Sequence, residues 1–174
     1  PAADWAISRP PRHSLDCSPA SPMLLRRLDI AVRYVGISTW PSTYGTIKGP
    51  RYVMEGLDTY WSVDMIRAAI EAGNIDVAVT SKGVVGMMEV GCLDEVLVMW
   101  KLYVLPSEQG SGLGHSLVDA AKDRARDRGC DLLTEYEPEN SSAGEFYARE
   151  GFEPTDAPWP GTKAVWLRWP SDLE

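Results

Sequence analysis

The segment LYVLPSEQGSGLG, Leu102–Gly114, joins an apolar run to a glycine-rich turn, and the turn to a helical pattern. The run Val96–Val104 predicts a buried strand that stops at Pro106, and the turn then opens directly into a helix. The first N–H groups of a helix have no partner inside it, and the macrodipole adds positive potential at that end. Gly110, Gly112 and Gly114 let the backbone approach an anion closely, so strand, glycine loop and helix together suit a pyrophosphate. No Lys-Ser/Thr follows the glycines, which excludes a P-loop, and a lone GxG before a helix is weak evidence for a dinucleotide site.

Downstream, Leu113, Leu117, Val118, Ala121 and Ala125 share one face of a predicted helix Leu113–Arg128, ended by Gly129. Cys130–Tyr136 is then a strand, parallel to Val96–Val104 because a strand–helix–strand crossover returns in that sense. Ser142, three residues before Glu145, predicts a capping box for the next helix, and Gly151 its end. Ala164–Trp169 reads as a last strand after the proline-rich loop Thr155–Gly161.

Two motifs in this half carry a resemblance. Gln109-Gly110-Ser111-Gly112-Leu113-Gly114, preceded by Leu-Tyr-Val-x-Pro, resembles the Q/R-x-x-G-x-G/A signature of the GNAT family of N-acetyltransferases. Asn140-x-x-Ala143-x-x-Phe146-Tyr147-x-x-x-Gly151-Phe152 resembles the pattern that follows the fifth strand in the same family, at the expected distance. The resemblance is strong from Val96 to Phe152; for Trp5–Val90 only the order of elements agrees. It implies an α/β fold: a mixed central sheet of about six to seven strands with helices on both faces, splayed between the fourth and fifth strands to admit a pantetheine arm.

Upstream, Trp5–Ser8 is a short strand and Ser14–Pro22 a loop. An amphipathic helix spans Met23–Trp40, with Leu24, Leu28, Ala31, Val32 and Val35 on its apolar stripe, and Pro41 closes it. Pro41–Tyr60 is irregular, broken by Gly45, Gly49, Pro50 and Gly56, and rich in rings that pack the first helix onto the sheet or, as the resemblance implies, flank an acceptor pocket. A helix over Ser62–Ala72 is capped by Ser62 and ended by Gly73-Asn74. Ile75, Val77 and Val79 alternate with Asp76 and Ala78 as a half-buried strand; Ser81-Lys82-Gly83 turns into Val84–Val90, and three consecutive strands form an antiparallel meander.

The chain of 174 residues fits a single domain, 1–174, large enough for a sizeable core. Apolar content of 44% and charged content of 24% are those of a soluble globular protein. No apolar run approaches the ~20 residues of a membrane span, and PAADWAISRPPRH lacks the apolar core of a secretory signal, so a cytoplasmic protein without a membrane partner is expected. Cys17, Cys92 and Cys130 fit neither a disulfide framework nor a zinc site, and no metal is expected. A net charge of −8 with no basic run beyond Arg26-Arg27 argues against nucleic acid and is compatible with a cationic substrate. A monomer or homodimer is expected.

The resemblance implies acetyl-CoA as co-substrate and an amine, most simply of a small molecule, as acceptor. A protein N-terminal or lysine acetyltransferase, or a non-catalytic acyl-CoA-binding module, are the alternatives. By resemblance Leu102, Tyr103 and Val104 meet pantetheine and the thioester carbonyl, and Gln109 to Gly114, including Ser111 and Leu113, hold the pyrophosphate. Asn140, Ala143 and Phe146 complete the cofactor site, with His115 in the first turn of the helix as a donor near phosphate. Tyr147 sits where the family places the tyrosine that protonates the departing sulfur. Many family members carry a general-base Glu where this chain has Val98, which leaves Glu89, Glu95 and Glu135 as substitutes, Glu89 first.

Overall fold

In the computed structural model, residues 5–8 and 22–171 are described, residues 22–26 by their backbone alone. Of the predicted loop Ser14–Pro22, all but Pro22, which is the first residue of the first helix, lies outside the described residues, as does His13. Seven strands form one sheet in the order β1-β2-β3-β4-β5-β7-β6. They are β1 (Trp5–Ser8), β2 (Ile75–Thr80), β3 (Gly83–Leu93), β4 (Val96–Val104), β5 (Leu132–Tyr136), β6 (Glu153–Pro154) and β7 (Val165–Trp169). The helices are α1 (Pro22–Tyr44), α2 (Gly49–Tyr60), α3 (Val63–Glu71), α4 (Leu113–Arg128) and α5 (Ser141–Arg149). This is the mixed, open sheet with helices on both faces that the sequence predicts.

The apolar stripe of α4, with Leu113, Leu117, Val118, Ala121 and Ala125, forms one core with β3, β4 and α5. Val32 and Val35 of α1 and Ile66 and Ile70 of α3 form a second core on the opposite face with Ile75, Val77 and Met87. The meander β2–β3–β4 is antiparallel throughout. The crossover through α4 returns β5 parallel to β4, paired only over Leu97↔Leu132, Val98↔Leu133 and Met99↔Thr134.

Several expectations are corrected. Helix α1 does not stop at Trp40 but runs to Tyr44 with Pro41 inside it. Proline in a helix interior costs about 3 kcal/mol, and here local bonds and packing offset it. The Ser42 and Thr43 hydroxyls donate to the Thr39 carbonyl at 2.8 and 3.0 Å, and the Gly45 N–H donates to the Pro41 carbonyl at 3.0 Å. Carrying the helix through places Trp40 in the core, stacked near-parallel on Tyr52 of α2. The segment read as irregular therefore contains a helix, α2, and Gly56 is a socket rather than a breaker. A Cβ at Gly56 would lie 1.9 Å from Trp40 Cζ3, just as one at Gly36 would lie 2.1 Å from Trp61 Cε3.

Strand β2 is buried on both faces over Ile75–Ala78, not half-buried. Asp76 is 1% exposed because Arg124 of α4 reaches it with both Nε and Nη2, while Nη1 donates to the Gly73 carbonyl at 2.8 Å. Strand β3 extends past Val90 to Leu93, where Asp94 at φ 50° turns the chain into β4. The two-residue strand β6 carried no readable signal. The capping box also does not form: Asn140 is the N-cap of α5, and the Ser142 hydroxyl donates to its Oδ1 at 2.9 Å. Ser62 caps α3 as predicted, accepting from the Met65 N–H at 3.3 Å. Among the described residues, no helix is long and apolar enough to cross a membrane.

Removing one partner of a buried ion pair leaves an uncompensated charge. Arg124→Leu is expected to destabilise the fold by roughly 3–5 kcal/mol, measured as the loss in unfolding free energy by urea denaturation.

Candidate functional site

Beyond the Met99–Thr134 rung, β4 and β5 part. Trp100 lies at that point, the residue left over where the β3–β4 register shifts between Glu89↔Lys101 and Val90↔Met99. A bulge of this kind bends a strand and increases its twist. The opening is a cleft of about 830 Å³, walled by the far half of β4, the glycine loop, α5 and the C-terminal part of α1.

The glycine loop forms one end. Gly110 and Gly112 have φ of 77° and 88°, the left-handed region that favours glycine, and space is open where their Cβ atoms would be. Gln109 Nε2 donates to the Val104 carbonyl at 3.1 Å, tying the loop to the strand end. The first intrahelical bond of α4 runs from the Ser116 N–H to the Gly112 carbonyl at 3.1 Å, so the N–H groups of Leu113, Gly114 and His115 precede the helical ladder. A Cβ at Gly114 would lie 3.4 Å from the Phe146 ring, which seats the start of α4 closely against α5.

His115 and Arg149 bring positive charge to this end. His115 Nδ1 bonds Glu150 at 2.9 Å and Nε2 lies 3.1 Å from Asp119; the hydrogen bond to Glu150 is the largest cause that raises its pKa above the ordinary histidine value. His115, Asp119 and Glu150 offer three ligand atoms within 4.8 Å of one another. The Lys122 ammonium, 3.4 Å from Glu150 and 3.7 Å from Asp119, supplies positive charge to that cluster.

Tyr147 stands at the point where the strands part. Its side chain is buried, and burial pushes the phenol up to about 12. Beside it the Thr134 hydroxyl donates to the Met99 carbonyl at 3.0 Å, and the nearness of Thr134 opposes the effect of burial on the phenol.

The other end carries Thr39, Thr43, Trp100, Tyr103 and Glu135. Tyr103 and Tyr44 bring their hydroxyls to 3.3 Å, and burial raises both phenols. Glu135 is raised from the usual carboxylate range first by burial and then by the neighbouring Glu137 charge. Glu137 itself pairs with Lys48 at 2.7 Å.

The cleft brings together Leu102, Tyr103, Val104, Gln109, Gly110, Gly112, Gly114 and His115 with Asn140, Ala143, Phe146 and Tyr147. It does not bring in Ser111, whose hydroxyl donates to the Glu108 carbonyl, or Leu113, which is buried in the core. Glu89 is also outside the lining; its carboxylate pairs with Lys101 Nζ, and that ammonium lies 5.6 Å from the Trp61 ring centre. Sequence reasoning missed Trp100, Thr134, Thr39, Thr43 and Arg149. A lone hydroxyl in the apolar run of β5 was the available signal for Thr134; the bulge at Trp100 left none.

Residues 71–154 match the family model described as the acetyltransferase (GNAT) domain. No curated protein matches the chain in sequence. Among solved structures, the chain is similar to the PaiA N-acetyltransferase of Thermoplasma acidophilum in complex with coenzyme A, with a TM-score of 0.76 at 17% identity over 94% of this chain and 97% of that one. A GNAT-family acetyltransferase of Staphylococcus aureus Mu50 gives 0.68 at 16% identity, over 94% and 97%. The ribosomal-protein-S18-alanine N-acetyltransferase of Escherichia coli gives 0.62 at 16%, over 98% and 96%.

The raised pKa of His115 has a signed consequence. The imidazolium bond to Glu150 stabilises the fold fully below the unfolded histidine pKa, and that contribution is lost as pH rises through the raised folded value. His115→Ala is expected to flatten the fall in melting temperature between about pH 6 and pH 9; parallel melts across that range check it.

Proposed function

Residues 71–154 match the acetyltransferase (GNAT) domain model, and from that match we propose that the chain is a GNAT acetyltransferase that transfers the acetyl group of acetyl-CoA to the amine of a small molecule. The observation that carries the reading is the shared cleft: the anion-binding loop at one end, Tyr147 where β4 and β5 part, and Glu135 beyond it. The loop fits a pyrophosphate. Its left-handed glycines leave open space where side chains would stand, three helix-start N–H groups precede the helical ladder, and His115 and Arg149 add charge.

In this reading the pantetheine arm lies along Leu102–Val104, whose β5-side edge has no ladder partner beyond Met99. An alkylammonium has a pKa near ~10.4, so the acceptor nitrogen gives up a proton to become nucleophilic. Glu135 takes it: the carboxylate lines the cleft, and partial burial makes it more basic than an exposed one. The nitrogen lone pair forms the C–N bond, the C–S bond breaks, and Tyr147 delivers its hydroxyl proton to the sulfur; the nitrogen gives up its second proton through water, which returns one to the phenolate. The buried phenol stays protonated far above neutral pH and so keeps a proton to give. Products are the acetamide and free coenzyme A. Thiol release from acetyl-CoA against panels of amines and peptides tests the reading; binding of coenzyme A with release on neither panel would leave an acyl-CoA-binding module.

Tyr147→Phe keeps the ring and is expected to lower kcat by about 10²–10⁴-fold with little change in the Michaelis constant for acetyl-CoA. With the phenol at about 12, the wild-type rate shows no alkaline decline from this group below about pH 11. Glu135→Gln is expected to lower kcat and to remove an acid limb that lies above the ordinary carboxylate range. Gly112→Ala should weaken coenzyme A binding, measured by calorimetry, because φ 88° disfavours any side chain and the added methyl enters the loop's open space.

A further inference from the structure

The loop Thr155–Gly161 and strand β7 contribute tryptophans that the mechanism above does not use. Trp166 is buried on β7, directly opposite Glu135 in the β5–β7 ladder, so the two side chains share a face of the sheet. Its ring meets Trp159 edge-on at 5.0 Å and Trp100 edge-on at 6.2 Å between centroids. Held by that buried indole, Trp100 and Trp159 stack on each other at 6.3 Å and 22°, yet remain 37% and 40% exposed. Trp100 lines the cleft and is the residue at the β4 bulge.

The charges around this pair point one way. Glu137 is balanced by Lys48 and Glu89 by Lys101, whereas among the described residues no cation is paired with Glu135. The cation–π contacts of the described residues use Trp61 and Trp169, so among the described residues no cation sits on Trp100 or Trp159. Indole is the side chain that attracts a cation most strongly through its face. The nitrogen that attacks the thioester is neutral at that moment, so a cation held on the indoles is a different centre of the same molecule.

We propose that the acceptor is a small amine bearing a second positive charge, which docks on the paired indoles of Trp100 and Trp159 while the reacting nitrogen meets Glu135. This deepens the acetyltransferase reading and rests on it. The net charge of −8 favours the approach of such a molecule over long range. Trp159 is a specificity-determining residue in this account, and the loop that carries it acts on the acceptor without touching the anion-binding loop.

The test compares four acceptors of similar length: 1,4-diaminobutane, butylamine, 4-aminobutanol and 4-aminobutanoate, with a lysine-containing peptide as a fifth. The diamine is expected to have the highest kcat/KM and 4-aminobutanoate the lowest. Trp159→Ala should lower kcat/KM for the diamine by about 3- to 30-fold more than for butylamine, through KM, while calorimetric affinity for coenzyme A stays unchanged. Trp159→Phe should recover part of the difference. Because the readout is a ratio between acceptors within each variant, general loss of folded enzyme does not imitate it. Equal losses for diamine and butylamine, a preference for 4-aminobutanoate, or faster acetylation of the peptide would each overturn the proposal. Coenzyme A binding with transfer to no acceptor would instead overturn the acetyltransferase reading beneath it.

Discussion

Three rungs of parallel pairing, Leu97–Met99 against Leu132–Thr134, hold the two halves of the sheet together before the strands diverge. Everything in the cleft follows from where that ladder ends. Had it continued, the N–H and C=O groups of the far half of β4 would be consumed by β5. Ended at Met99, it leaves that edge beside an opening, and the last rung places the Thr134 hydroxyl, bonded to the Met99 carbonyl, beside Tyr147. The break is built on the adjacent side of β4, where the extra residue at Trp100 shifts the register against β3. A single inserted residue thus opens the sheet and aims an indole into the opening.

The two faces of the sheet divide the work. On one, α4 is bolted to β2 by the buried Arg124–Asp76 pair and seated against α5 by the Gly114–Phe146 approach, which fixes the anion-binding end. On the other, α1 to α3 carry the aromatic cluster that ends in the Tyr44–Tyr103 hydroxyl contact. Burial raises the phenols and Glu135 together, because the cleft removes water from all of them, and neutral phenol and basic carboxylate are the forms such a site uses.

Much of the second half was legible in the sequence: Val96–Val104 and Leu113–Arg128 have the predicted bounds, and the motif residues converge on one cleft. That half is dominated by local signals, apolar period and glycines at positive φ. What escaped reading depends on distant contacts. Pro41 and Gly56 signal helix breaks when taken locally, and only the position of the Trp40 ring between α1 and α2 reverses their meaning. Asp76 looks like the polar member of an alternating strand until Arg124, on a helix that follows two strands later, is brought to it. The bulge is likewise a property of a pair of strands, so no residue type announces Trp100. Glu89 shows the same limit: its place on β3 was readable, but its pairing with Lys101 was not.

The tryptophan sockets at Gly36 and Gly56 limit what these two positions can become. Each ring rests where a Cβ would stand, so enlarging either glycine displaces a buried indole. The loop bearing Trp159, anchored by an edge contact with Trp166, has no such interlock at Gly161, where the space for a side chain stands open.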